Sequence, residues 1–133
     1  MTTSPATRSA DNDERIDFLM TNLDLTLPAQ RQLEAYNRGD IEAFMACYAP
    51  DVVVEDAAGN VMMQGWDAMY KSYAHMFAQS PDLHCTLVSR IVVGNYVLDE
   101  ENVTGRPGTT EMSHVVAVYQ IADGLIQHVR FIR

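Results

Sequence analysis

A carboxylate can act as a base when it stands in apolar surroundings, because partial desolvation raises its basicity. Asp56 is the candidate that suits this chemistry best. It closes the run Val52-Val53-Val54-Glu55-Asp56, and strand alternation puts it on the face of Val52 and Val54, the face with most to bury. It also stands directly before Ala57-Ala58-Gly59-Asn60, where Asp commonly starts a turn. The residues alone leave both placements open. A second acidic group is Asp99-Glu100-Glu101. Such a run reads either as a solvated edge or, in a continuous strand, as one that turns at least one carboxylate inward. A carboxylate buried there needs a partner, such as Arg90 or Arg106. Glu111 is a further acid, on a face it shares by alternation with Ser113, Val115, Ala117 and Tyr119.

Other chemistries find little support. There is no GxGxxG, Walker A, HExxH or GxSxG motif, so no cofactor is called for. His75, His84, His114 and His128 are scattered, with no pair at helical ligand spacing, and no metal site is expected. His114 has the parity of an outward residue. Cys47 and Cys85 lie in apolar surroundings without CxxC spacing and read as reduced core thiols.

The elements that must position these groups can be read from periodicity and punctuation. Residues 1–12 are small and polar and read as a disordered tail. Ile16, Leu19, Met20 and Leu23 mark a short amphipathic helix, part of an accessory segment 13–27. A second helix is expected from near Pro28 to Arg38, closed by Gly39. Asp40 caps a third, with Ile41, Phe44, Met45 and Tyr48 on one stripe and Pro50 as its stop. A strand over 52–56 and a short return strand over 61–64 precede a helix over 66–79. Candidate strands 83–93, 96–104, 111–121 and 125–133 follow, separated by turn sequences such as Gly94-Asn95 and Asp123-Gly124. Helices first and a meander last predict one α+β domain over 28–133.

The chain has 133 residues and a formal net charge of −9. That balance argues against nucleic acid and against anionic membrane surfaces, both of which are held by clustered cations. The start of the chain has no apolar core of signal-peptide type and no apolar run approaches a membrane span, so a soluble cytoplasmic protein is expected.

The stretch Ala35-Tyr36-Asn37-Arg38-Gly39-Asp40-Ile41-Glu42-Ala43-Phe44, continued by Tyr48-Ala49-Pro50-Asp51-Val52-Val53-Val54-Glu55-Asp56, resembles the SnoaL-like group of the nuclear-transport-factor-2-like superfamily. So do Gln64-Gly65-Trp66-Asp67-Ala68 and the closing Asp123-Gly124-Leu125-Ile126 with Val129-Arg130-Phe131-Ile132. Bacterial ketosteroid isomerases are relatives. The resemblance covers about residues 28–133 and implies a cone: a curved antiparallel sheet wrapped around helices, an α+β roll with an internal apolar pocket. It also implies a homodimer through the sheet face.

The aspartate of Val54-Glu55-Asp56 matches the isomerases' proton-shuttling carboxylate. Tyr48 and Tyr73 match tyrosines that support the catalytic tyrosine of those enzymes. That tyrosine's own position falls on Gln32, and the position of their second acid falls near Ala117. Both departures speak against efficient steroid isomerisation, since lost oxyanion donors cost orders of magnitude in rate. Tyr36, one turn after Gln32, is a candidate replacement donor, and Glu111 a second acid. The implied pocket wall takes in Trp66, Met63 and Met69, then Ser113, Val115 and Ala117, then Val129 and Phe131. The expected function is proton-transfer chemistry of isomerase, cyclase or hydratase type on a small apolar carbonyl or polycyclic compound. The alternative is a binding module for a hydrophobic small molecule without catalysis.

Overall fold

The structure, a computed structural model, describes residues 25–133. The expected tail and the helix marked by Ile16–Leu23 lie outside the described residues. Helix α1 covers 25–38, so it runs through Pro28 instead of starting there. It ends as its glycine requires. Gly39 adopts φ +66°, its N–H donates to Tyr36 O, and the Asp40 N–H donates to Ala35 O, a Schellman closure. Asp40 then caps α2 (Ile41–Met45), its carboxylate accepting from Ala43 N at 3.1 Å.

Helix α2 is shorter than its apolar stripe suggests. Tyr48 and Pro50 belong to strand β1 (Tyr48–Glu55), not to the helix and its stop. Pro50 is tolerated because β1 pairs with β6 (Leu125–Ile132) at Tyr48↔Ile126 and again only from Val53↔His128. The residues between bulge out of the ladder, where a missing N–H costs nothing. Strand β2 (Val61–Gln64), helix α3 (Trp66–Gln79), β3 (His84–Val93), β4 (Tyr96–Thr104) and β5 (Ser113–Ala122) complete the chain.

One six-stranded sheet has the order β2-β1-β6-β5-β4-β3. Its last four strands are the expected antiparallel meander. The β1–β6 pairing is parallel, so the sheet is mixed and not wholly antiparallel. Register shifts at Leu87/Ser89, Gln120/Ile121 and Val54/Glu55 bend it. One face carries the helices. There Phe44 lies among Tyr73, Tyr48, Phe77 and Tyr36, ring centroids 4.7, 5.1, 5.5 and 6.1 Å away. Asn37 ties the end of α1 to the start of β3, donating to Cys85 O at 2.9 Å and accepting from Cys85 N at 2.8 Å.

Gly105, just after β4, has φ +78°, and a Cβ there would stand 2.1 Å from Asp82 O. The chain crossing needs a residue without a side chain. Gly105→Ala is expected to lower stability by roughly 2 kcal/mol or more, read as the urea midpoint against the wild type.

Candidate functional site

Between the helices and the sheet lies a cavity of about 80 Å³. Helix α1 contributes Gln32, Leu33 and Tyr36, and α2 and β1 contribute Phe44 and Tyr48. Tyr73 and Met76 enter from α3, Glu101 and Val103 from β4, Val115 and Tyr119 from β5 and Phe131 from β6. Cys85, Arg106 and Arg133 complete the wall. The cavity is aromatic but not purely apolar. Hydroxyls, an amide, an acid and two guanidiniums face it.

One hydrogen-bonded chain crosses it. The Tyr48 hydroxyl donates to Gln32 Oε1 at 3.3 Å, and Gln32 Nε2 donates to Tyr119 Oη at 2.8 Å and to Ala29 O at 3.1 Å. Tyr119 therefore accepts from Gln32 and keeps its own O–H to donate. Burial pushes the hydroxyls of Tyr36, Tyr48 and Tyr119 well up, and that of Tyr73 up to about 12. Near neutral pH these tyrosines are donors, not bases.

Strand β4 supplies the charge. Alternation turns Asp99 and Glu101 inward and leaves Glu100 outside, held by Ser89 and His114 at 2.9 and 2.7 Å. Asp99 is fully buried and takes the Arg90 fork, Nε to Oδ1 at 2.7 Å and NH2 to Oδ2 at 3.0 Å. Its cross-strand neighbour is Ala117. Glu101 is 5% exposed, and no salt bridge of its own answers it among the described residues. Burial raises its pKa to about 7, Asp99 adds to the rise, and the Cys85 thiol and Arg90 oppose it. Burial, then Glu101 itself, keep Cys85 protonated, and both cysteines are free thiols.

Some of the residues expected at a pocket line this cavity. Gln32, Tyr36, Tyr48, Tyr73, Val115 and Phe131 meet at the cavity. Ala117, Val129 and Met69 are core residues behind it, and Met63 packs against that core. Trp66 packs against the same core outside the cavity lining, its indole N–H donating to Met45 O at 3.0 Å. Ser113 reaches the site only through Arg106, which donates to its hydroxyl at 3.1 Å.

Asp56 and Glu111 are corrected. Alternation along β1 holds through Glu55, where the strand ends, and Asp56, one residue further, is the turn residue. Its Oδ1 accepts from Ala58 N at 3.0 Å and Asn60 N at 2.8 Å, and its Oδ2 from Asn60 Nδ2 at 3.0 Å. These bonds, first those to Asn60, lower its pKa, the reverse of what a base requires. Glu111 is exposed and precedes β5, which begins at Ser113. Glu101, Tyr119, Arg106 and Arg133 were the groups not singled out as site residues. Alternation through the acidic run of β4 was the signal available for Glu101.

Residues 29–129 match the family model of the SnoaL-like domain, and the chain belongs to that family. A cystatin-fold protein from Novosphingobium aromaticivorans is 30% identical, with a TM-score of 0.75, covering 83% of this chain and 97% of that one. A proposed polyketide cyclase from Sinorhizobium meliloti is 25% identical, TM-score 0.67, covering 78% and 92%. An LEH-like epoxide hydrolase from M. tuberculosis shares the fold at 17% identity, TM-score 0.73, covering 83% and 82%. No curated protein matches the chain. No helix among the described residues is long and apolar enough to cross a membrane.

The raised pKa of Glu101 has a stability consequence. Between its usual 4.5 and its folded value of about 7, the folded state holds a proton that the unfolded state has lost. Stability from this group is complete below pH 4.5 and falls by roughly 3 kcal/mol as pH rises through 7. The lowered Glu55, Asp56 and Glu100 act in the other direction, losing their contribution only below the usual carboxylate range. Glu101→Gln is expected to flatten the fall between pH 5 and 8 in urea titrations run at several pH values.

Proposed function

We propose that this SnoaL-like protein is a proton-transfer enzyme for a compact carbonyl compound, with Glu101 moving the proton and Tyr119 holding the carbonyl oxygen. The observation that supports it is a buried acid with a pKa near 7 facing the same cavity as a tyrosine hydroxyl whose oxygen already accepts from Gln32. An acid near neutrality both takes and returns a proton with little driving-force penalty. The ionised carboxylate removes a proton from the carbon next to the carbonyl. The electron pair moves onto oxygen, where the Tyr119 O–H stabilises the enolate, and Gln32 and Tyr48 steady that hydroxyl. Protonated Glu101 then returns the proton, to the same carbon or to a conjugated one.

The cavity, about 80 Å³, falls below the 300–1,000 Å³ of drug-sized ligand sites. That favours a one-ring substrate over the polycyclic one expected from the resemblance. The relatives include a proposed polyketide cyclase, and carbon acids next to carbonyls are common to such chemistry.

Deuterium exchange next to the carbonyl of cyclohexanone and cyclopentanone, followed by proton NMR in heavy water, tests the reading. The wild type should accelerate exchange, with a rate that rises with pH through about 7. Glu101→Gln should lose about 100-fold or more, while Asp56→Asn should keep the wild-type rate. Loss in Asp56→Asn, or none in Glu101→Gln, would contradict it. A binding module without catalysis would retain these ketones and exchange nothing.

The reading includes a homodimer through the outer sheet face. Ile91, Val93, Tyr96 and Ile132 are exposed there, beside Leu98, Val116 and Val118 in register. That is a contiguous apolar patch of the kind that marks an interface. Ile91→Glu is expected to shift sedimentation from dimer to monomer; an unchanged dimer would place the interface elsewhere. Two buried free thiols suit a reducing compartment and support the cytoplasmic expectation.

A further inference from the structure

The chain holds only nine Lys and Arg against eighteen Asp and Glu, yet two of the nine face its cavity. The other described arginines are mostly engaged with carboxylates. Arg38 pairs with Asp40, Arg90 with Asp99 and Arg130 with Glu55. Arg106 and Arg133 are different. Among the described residues neither has a carboxylate partner. Arg106 donates to the Ser113 hydroxyl, and the Arg133 guanidinium lies 5.5 Å from the centroid of the Phe131 ring. Both line the same cavity, together with Tyr73, and each favours the ionised form of the Tyr73 hydroxyl.

The backbone leading into Arg106 is held in place. Arg106 follows Gly105, whose backbone packs so closely on Asp82 and Leu83 that a Cβ would overlap them. The base of its side chain is thereby fixed next to the cavity. A guanidinium matches a carboxylate with two parallel hydrogen bonds.

Resting on the proton-transfer reading, we infer that Arg106 and Arg133 form a carboxylate-binding site at the cavity wall, and that the substrate is a compact carbonyl compound bearing a carboxylate, such as a ring or unsaturated keto acid. Counted over side chains, the wall carries one excess positive charge with Glu101 ionised and two with Glu101 protonated. An acidic protein thus admits an anion at this place. The carboxylate holds one end of the substrate and leaves the carbon next to the carbonyl to Glu101.

Benzoate and benzamide are matched probes, of the same size and differing in charge. In chemical-shift titrations of the full chain at about 20 mM salt, benzoate should bind about tenfold tighter than benzamide or better. The preference should shrink at about 300 mM salt, as screening requires. Arg133→Gln and Arg106→Gln should each weaken benzoate about fivefold or more and leave benzamide unchanged. Thermal melts establish that the variants are folded, and the salt dependence of the wild type does not rely on them. Equal affinity for the two probes, or benzoate binding indifferent to both arginines, would overturn the inference. Glu101→Gln separates it from the reading beneath it. If this variant loses deuterium exchange while the wild type shows no benzoate preference, the carboxylate site fails and the proton transfer stands. If exchange survives in Glu101→Gln while the arginine-dependent preference is present, the carboxylate site stands and the role of Glu101 fails.

Discussion

Strand β4 places two carboxylates on the covered face of the sheet, and much of the rest follows from how each is answered. Asp99 and Glu101 are two residues apart, so the pleat turns both the same way. Asp99 receives a two-pronged arginine from the neighbouring strand, and Gln30 on α1 holds the same guanidinium at 2.9 Å. A buried ion pair of this kind costs desolvation and persists only when its hydrogen bonds are satisfied. Glu101 is given no such partner. It accepts from a thiol, the weakest donor at hand, and lies in the field of Asp99. The fold leaves it as a carboxyl group that ionises near neutrality.

The wall around Glu101 makes that property useful. Phe44 and its ring neighbours set the shape. Tyr48, Gln32 and Tyr119 form a chain whose donors run in one direction, so that a hydroxyl at its end is free to donate. The amide of Gln32 needs both a donor and an acceptor beside it, and the two tyrosines satisfy it. A catalytic acid and an oriented O–H therefore come from different elements, and the double hydrogen bond of Asn37 to the Cys85 backbone fixes α1 against the sheet.

The fold was largely legible in the sequence because its signals are local. Gly39-Asp40 closes one helix and caps the next, the stripe over 66–79 is α3, and the turn residues punctuate the meander. The parallel β1–β6 pair was not legible, since it joins residues some 75 positions apart with no local mark. The site was legible where a stripe faces inward, as at Gln32, Tyr36, Tyr48 and Tyr73. It failed where a strand boundary decided the outcome. Strand β1 stops at Glu55 and leaves Asp56 to the turn, and a late strand start leaves Glu111 in solvent. The acidic run of β4 needs an inward residue and an arginine partner, and Arg90 is that partner. That Glu101 would be the member left unpaired depends on which arginines reach it, and so on the tertiary fold.

The measurement that bears most directly on this account is a site-resolved titration of the Glu101 side-chain carboxyl by carbon NMR in the wild-type protein. An apparent pKa near 7 is the expected result. A value near 4.5, the usual position for a glutamate, would mean that the carboxylate is solvated or paired, and would contradict the role assigned to it.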